Sequence, residues 1–385
     1  MNKKKKTVGI FASASFLNDM GSDMIYPIWP LFVTEVLGAN MTVLGLIDGI
    51  GEAVVSISKA AAGYISDKIK RRKIFIWTGY MFGSLSRIGY AFTSVWQWLI
   101  PFRILDRAGK IRSAPRDAIV ADISNHKDRN TNFGILEAMD NLGAVFGILI
   151  CIFLFQYLGY RNLFLIAAIP SVIAVLLILF FVKEKKDNGI KLYEGMRFKD
   201  LSSNLKLFFI LSAIFELGAF TYSFLLIFAK EFGFKVAFVP ILYLIFTASA
   251  SLFAIPFGKL AGKTGRKSVI AISFMLWALV SVLFIVFHNY IAILIAFVIY
   301  GMHKAALKPV QKTFVSELAV KKFRASALGA YQMAIGLMAL PASLIAGLLW
   351  DKINIFTPFY FSLILTIIAL FMLMFVQEKP YLKKL

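Results

Sequence analysis

The amino-acid sequence predicts an all-α membrane protein: twelve transmembrane helices forming two pseudo-symmetric six-helix bundles. Three observations carry this. Of 385 residues, 59% are hydrophobic and 16% charged, against about a quarter charged in a soluble domain. The apolar residues fall in blocks of about 20, the length that crosses a hydrocarbon core of about 30 Å as a helix. Strands of a membrane barrel would alternate apolar and polar residues instead. Finally, the second half repeats the first at a shift of about 195 residues.

The first span, 8–37, follows the lysines Lys3 to Lys6 and resembles a signal peptide at its start. It runs on through Pro30 to Leu37 without a clean cleavage site, so it reads as a retained helix. Spans two and three, 42–65 and 73–92, flank a turn carrying Lys68, Lys70, Arg71 and Arg72. Span four, 95–123, is the most highly charged, and spans five and six, 133–158 and 162–182, complete a bundle over 1–182. Segment 183–206 is too basic to insert and reads as a central loop. The second bundle, 207–385, then holds spans 206–228, 236–258, 267–287, 290–318, 325–349 and 356–376.

A formal charge of +21 would suggest nucleic acid if the chain were soluble. Its location argues otherwise. Threading the spans puts roughly 28 cations on one side and about four on the other, and cytoplasmic loops are the ones that hold cations. Both termini and the central loop are therefore expected inside, and no nucleic-acid partner is expected. Cys151 is the single cysteine, which excludes an internal disulfide and reads as a small packed residue.

The repeat is visible residue by residue. Gly63, Lys68, Arg71 and Arg72 align with Gly258, Lys263, Arg266 and Lys267. The same shift places Arg129 on Arg324, Gly134 on Gly329 and Glu137 on Gln332. The segment Gly63-Tyr-Ile-Ser-Asp67-Lys68-Ile-Lys70-Arg71-Arg72 resembles the G-x-x-x-D-[RK]-x-G-R-[RK] signature of the major facilitator superfamily, and Gly258 to Lys267 resembles a second copy. The first copy has Lys70 where the family has glycine, and the second has Gly262 where it has the acid. The resemblance implies that Asp67 locks the cytoplasmic side.

Span four, with Arg103, Asp106, Arg107, Lys110, Arg112 and Pro115-Arg116-Asp117, is similar to a bacterial branch of that superfamily. Asn18-Asp19, Tyr26-Pro27, Glu137 to Asp140 and Leu340 to Ser343 are similar to the same branch. The resemblance covers essentially the whole chain. It implies a multi-pass protein of the inner (cytoplasmic) membrane, in which two bundles rock about a midplane site.

An ionised side chain at a helix centre costs about 2.5–3.5 kcal/mol to insert, so such residues line water or pair with one another. Helical spacing groups them. Asp19, Asp23, Asp48, Glu52, Glu137 and Asp140 are candidates for proton coupling, since a carboxylate one turn from another holds its proton more tightly. Candidates for substrate binding are Tyr26, Arg103, Arg107, Glu216, Lys304, Lys308 and Gln332. Candidates for gating are Gly63, Asp67, Lys68, Arg71, Arg72, Arg112, Arg116, Asp117, Gly258 and Arg266. His303, beside Lys304, reads as a packed imidazole.

No glycine loop followed by Lys-Ser or Lys-Thr suggests ATP drive. The dispersed histidines and lone cysteine give no metal-ligand spacing, and no catalytic triad can be argued, so neither cofactor, metal nor enzyme activity is expected. The sequence thus predicts a secondary active transporter coupled to protons, with sodium as the alternative ion, and functional as a monomer. The cationic faces favour a small organic anion or zwitterion, such as a carboxylate-rich metabolite or a metal chelate (a siderophore). The alternative is a proton-driven multidrug or toxic-compound exporter.

Overall fold

The computed structural model describes residues 3–69, 71–124, 129–182, 201–319 and 324–378. Among the described residues every regular element is helical. The chain runs through α1 (Lys3–Asp23), α2 (Trp29–Leu31), α3 (Met41–Ile69), α4 (Lys73–Phe92), α5 (Trp96–Ala108), α6 (Ser113–Ile123) and α7 (Arg129–Phe181). It continues as α8 (Ser203–Gly218), α9 (Tyr222–Glu231), α10 (Val239–Thr264), α11 (Arg266–Val286), α12 (Tyr290–Leu318), α13 (Arg324–Lys352) and α14 (Thr357–Met374).

Eight stretches among the described residues are long and apolar enough to cross a membrane. One of them, Thr131–Phe181, serves two crossings. It turns at Gly159, whose φ of 66° lies in the left-handed region that glycine enters without steric cost. With α1 and its continuation, α4, and the α5–α6 pair, twelve crossings result.

Three of the expected continuous spans are interrupted. Span one stops at Asp23, turns over 24–28, and resumes as α2 and a π-helical turn, Phe32–Val36. Pro27 stands in the break; it lacks an N–H and disfavours helical dihedrals at the residue before it. Span seven stops at Gly218 and restarts at Tyr222, with Ala219 at φ −100°, ψ 73°. The two breaks lie about 195 residues apart, at matching points of the repeat, and discontinuous helices of this kind are a hallmark of carriers. Span four tightens into a 3-10 turn over Gly109–Arg112.

The chain separates into two compact units. The first comprises Met1–Ala39, Ile50–Tyr193 and Val236–Pro240, the second Asn40–Gly49, Glu194–Lys235 and Ile241–Leu385. In the first, α1 and α4 pack along α7, around a core that includes Phe11, Ile76, Tyr80, Val120 and Ile178. In the second, Phe215 stacks on Phe274 at 3.9 Å and Phe284 on Phe359 at 5.1 Å. Trp277 donates Nε1–H to Ser362 Oγ at 2.7 Å. Lipid tails are as apolar as these rings, so close packing and interhelical hydrogen bonds, rather than escape from water, hold such helices together.

Candidate functional site

Arg103 and Arg107 lie one turn apart on α5, so both project from one helix face. Arg103 is 2% exposed, with its guanidinium 4.1 Å from the centre of the Trp29 ring. Trp29 in turn packs against Tyr90, ring centres 4.9 Å apart. Arg107 lies over the Tyr26 ring at 5.0 Å and donates Nη1–H to Tyr26 Oη at 3.1 Å. Its Nε is 3.8 Å from Asp106 Oδ2 and its Nη2 4.0 Å from Glu52 Oε1.

Gly51 makes room for this group. A Cβ there would stand 3.2 Å from both Arg103 Nε and Arg107 Cγ. The break after α1 brings Tyr26 and α2 brings Trp29. Four residues predicted from sequence (Tyr26, Glu52, Arg103 and Arg107) are therefore one cluster. Chemically it offers planar guanidinium donors for a carboxylate or phosphate, a carboxylate for an ammonium, and aromatic faces for an apolar body.

A second ionic layer follows along the same element. Arg112, on the 3-10 turn, is 3.6 Å from Asp19 Oδ1, lies over the Tyr80 ring at 5.0 Å, and donates to the Gly109 carbonyl at 2.9 Å. Arg116 bonds Asp117 at 2.9 Å, stands 3.6 Å from Asp140, and donates to Ser15 Oγ. The sequence separates Arg112, Arg116 and Asp117 as gating residues from Asp19 and Asp140 as proton carriers. The structure instead joins the two sets pair by pair. Arg72 pairs with Asp122, Lys68 and Arg71 are exposed, and Gly63 is half-buried beside Ala114. Asp67 lies on α3, but its side chain is outside the described residues, as are 183–200 of the expected central loop.

The second unit places Asp48 at the helix break. Its Oδ2 accepts from Ser223 Oγ at 2.5 Å and from Thr221 Oγ1 at 3.2 Å. Asp48 and Glu52 were expected as a coupled carboxylate pair; each engages partners of its own, one at the break and one at Arg107. Arg266 pairs with Glu317 at 2.9 Å, and Glu378 accepts from the backbone N–H groups of Arg266 and Lys267 at 2.5 and 3.2 Å. Lys304 lies 5.3 Å from the Tyr300 ring. Glu216 and Asp23 are half-buried and buried respectively, while Glu137, Gly258, Lys308 and Gln332 are exposed. His303 and Cys151 are buried, the imidazole held by Ser273.

Two residues absent from the sequence-based site set, Trp29 and Asp106, belong to these clusters, and a third, Arg87, is buried in the same unit. Asp106 stands in the charged run of span four but was passed over for its neighbours. Arg87 is 1% exposed and forms no stripe with other charges on α4. Its available signal was simply that of a cation in an apolar span, set among Gly83, Ser84, Ser86 and Gly89.

Twelve crossings, helices broken at matching points of a repeat, and ionic clusters inside a bundle define a membrane carrier. The model of the Major Facilitator Superfamily matches residues 11–226 and 207–385, and the chain belongs to that family. It is 39% identical over 383 residues to an MFS-type transporter of Methanocaldococcus jannaschii, covering 96% of this chain and 95% of the relative. It is 26% identical over 377 residues to Multidrug resistance protein 1 of Bacillus subtilis, covering 94% of each. Among solved structures, a mutant of the nucleoside transporter NupG superposes with a TM-score of 0.82 at 17% identity, covering 97% of this chain and all of that one. A bacterial homologue of the lysosomal transporter Spinster superposes with a TM-score of 0.77 at 13% identity, covering 98% and 97%.

Proposed function

We propose that this facilitator is a proton-coupled secondary transporter for a small organic anion or zwitterion, working by alternating access. The observation that carries the reading is the Arg103–Arg107 cluster, with Glu52, Asp106, Tyr26 and Trp29 around it. A guanidinium pair costs too much inside a bilayer to serve as filler, and its fork geometry suits carboxylates and phosphates. Aromatic faces beside it suit a planar or apolar body. Asp19, paired with Arg112, and Asp140, paired with Arg116, are the proposed proton carriers: each can trade its arginine for a proton. Lys304, Lys308, Glu216 and Gln332 are further proposed substrate-binding residues.

The rest of the proposal follows from charge placement. The protein sits in the inner membrane with both termini cytoplasmic, divides at 183–206, and acts as a monomer. The Arg72–Asp122 and Arg266–Glu317 pairs, with Asp67, Lys68 and Arg71, belong to cytoplasmic gating.

A second reading is export of drugs or toxic compounds against protons, favoured by the similarity to the Bacillus multidrug protein over nearly the whole chain. A thermal-shift screen of purified protein against anionic, zwitterionic, cationic and neutral solutes separates the two. At 100 times its dissociation constant a ligand stabilises by about 2.7 kcal/mol. Anionic or zwitterionic hits that vanish in Arg107→Gln support the first reading; hits confined to lipophilic cations replace it with the second.

A further inference from the structure

Arg87 is a buried cation whose hydrogen bonds all run to neutral groups. Its Nη1 donates to the Ala167 carbonyl at 2.9 Å and to Ser171 Oγ at 2.5 Å. Its Nη2 donates to Ser22 Oγ at 2.7 Å, to the Asn18 carbonyl at 3.2 Å, and to Asn18 Oδ1 at 3.5 Å. Arginine has donors only, so the direction of every bond beyond it is set. Ser171 must accept from Arg87, and its own proton goes to Asn18 Oδ1 at 3.0 Å. The Asn18 oxygen thus faces donors from two sides, and a flipped amide would set donor against donor. The Asn18 Nδ2 is left pointing at Asp19, whose Oδ1 it meets at 3.0 Å.

We infer that Arg87 is a positioning residue: through Ser171 and Asn18 it fixes the hydrogen bond that the Asp19 carboxylate receives. The inference rests on the reading of Asp19 as a proton carrier, and gives that carboxylate two supports, both at its Oδ1. One is ionic, Arg112 on the 3-10 turn at 3.6 Å. The other is the polarised amide of Asn18, strengthened along the chain Arg87–Ser171–Asn18 because Ser171 and Asn18 each accept one bond and donate the next. The other charged groups acting on Asp19 are Lys110 on the same turn, Asp140 on α7 and, through its charge, Arg87 itself. Asp23 follows one turn later on α1, and Arg116 on α6 reaches Asp140. The Asn18 amide is the contact whose orientation Arg87 and Ser171 set.

The test uses a thiol as a reporter of that hydrogen bond. In a Cys151→Ser background, Asp19→Cys sets a sulfur where the carboxylate was, and its rate of reaction with methyl methanethiosulfonate is followed against pH in detergent. A thiolate receiving the Asn18 bond forms at lower pH, since a donor to the charged form favours it. Adding Asn18→Leu, Ser171→Ala or Arg87→Lys is expected to move the profile to higher pH by about one unit. A lysine keeps the charge but not the fork, so a shift in Arg87→Lys assigns the effect to orientation. Coincident profiles in folded, monodisperse protein overturn the inference. Should Arg87→Lys fail to fold, Ser171→Ala decides, because it leaves the remaining bonds of Arg87 in place. Transport is not used: shifted profiles alongside gradient-driven accumulation by Asp19→Asn would uphold the positioning and sink the proton reading.

Discussion

Arg107 meets a phenol, an aromatic face and two carboxylates with one guanidinium, and space for this comes from the missing side chain of Gly51. That makes Gly51 a sensitive position. An alanine Cβ at 3.2 Å from both arginines needs a shift of a few tenths of an ångström, which flexible side chains can supply. A leucine needs a new place for both guanidiniums. Gly51→Leu is expected to cost about 1–3 kcal/mol and to abolish ligand-induced thermal stabilisation, while Gly51→Ala keeps both nearly unchanged. Unaltered ligand shifts in Gly51→Leu would remove the arginine pair from the binding site. At this scale the arginines and acids are legible from sequence, since any charge in an apolar span stands out. It did not show their partners. Trp29 looks like packing until Arg103 is placed over it, and the pairing of Asp19 with Arg112 crosses 93 positions of chain that no periodicity connects.

At the scale of elements, helix ends were legible and helix breaks were not. Span 290–318 matches α12 and span 73–92 matches α4 to the residue, because hydropathy and flanking polar residues mark where a span enters and leaves lipid. The interruptions at 24–28, 109–112 and 219–221 leave hydropathy unchanged, so a window average runs straight through them. Pro27 was a usable signal for the first; the others depend on tertiary contacts. Asp48 is the clearest of these, since α9 begins where its carboxylate takes the hydroxyls of Thr221 and Ser223. A negative group at a helix N-terminus also complements the helix dipole. Asp48→Ala leaves two hydroxyls without their acceptor and is expected to destabilise by about 1–2 kcal/mol. Asp48→Asn keeps one acceptor oxygen and should cost about half as much. Thermal unfolding of the two variants in detergent checks the order; equal and negligible losses would show that the break holds without Asp48.

For the whole molecule, the two ionic layers suggest how a proton could be tied to transport. Asp19 stands against Arg112 and Asp140 against Arg116, at 3.6 Å in both cases, and Arg116 also holds Asp117 at 2.9 Å. Such a pair is stable while the acid is ionised. Protonation dissolves the attraction and leaves Arg112 seeking another anion, which a bound cargo can supply, whereas Arg116 keeps Asp117. Binding of proton and cargo then reinforce each other, and neither crosses efficiently alone. Asp23, at the end of α1, and Glu52 and Asp106, beside Arg107, are other acids near enough to share the role. Replacing the true carrier by its amide should fix it in the protonated form. Proteoliposomes loaded with a ligand from the thermal-shift screen provide the measurement. The carrier's variant among Asp19→Asn, Asp23→Asn and Glu52→Gln should lose accumulation driven by a pH gradient, by tenfold or more on the order of one broken charge-assisted bond. The same variant should still exchange internal for external cargo, because exchange needs no net proton movement. Loss of both activities would mark the residue as structural. If all three variants accumulate cargo with the wild-type pH dependence, proton binding belongs elsewhere, to acids such as Asp48, Asp106, Glu137 or Asp140.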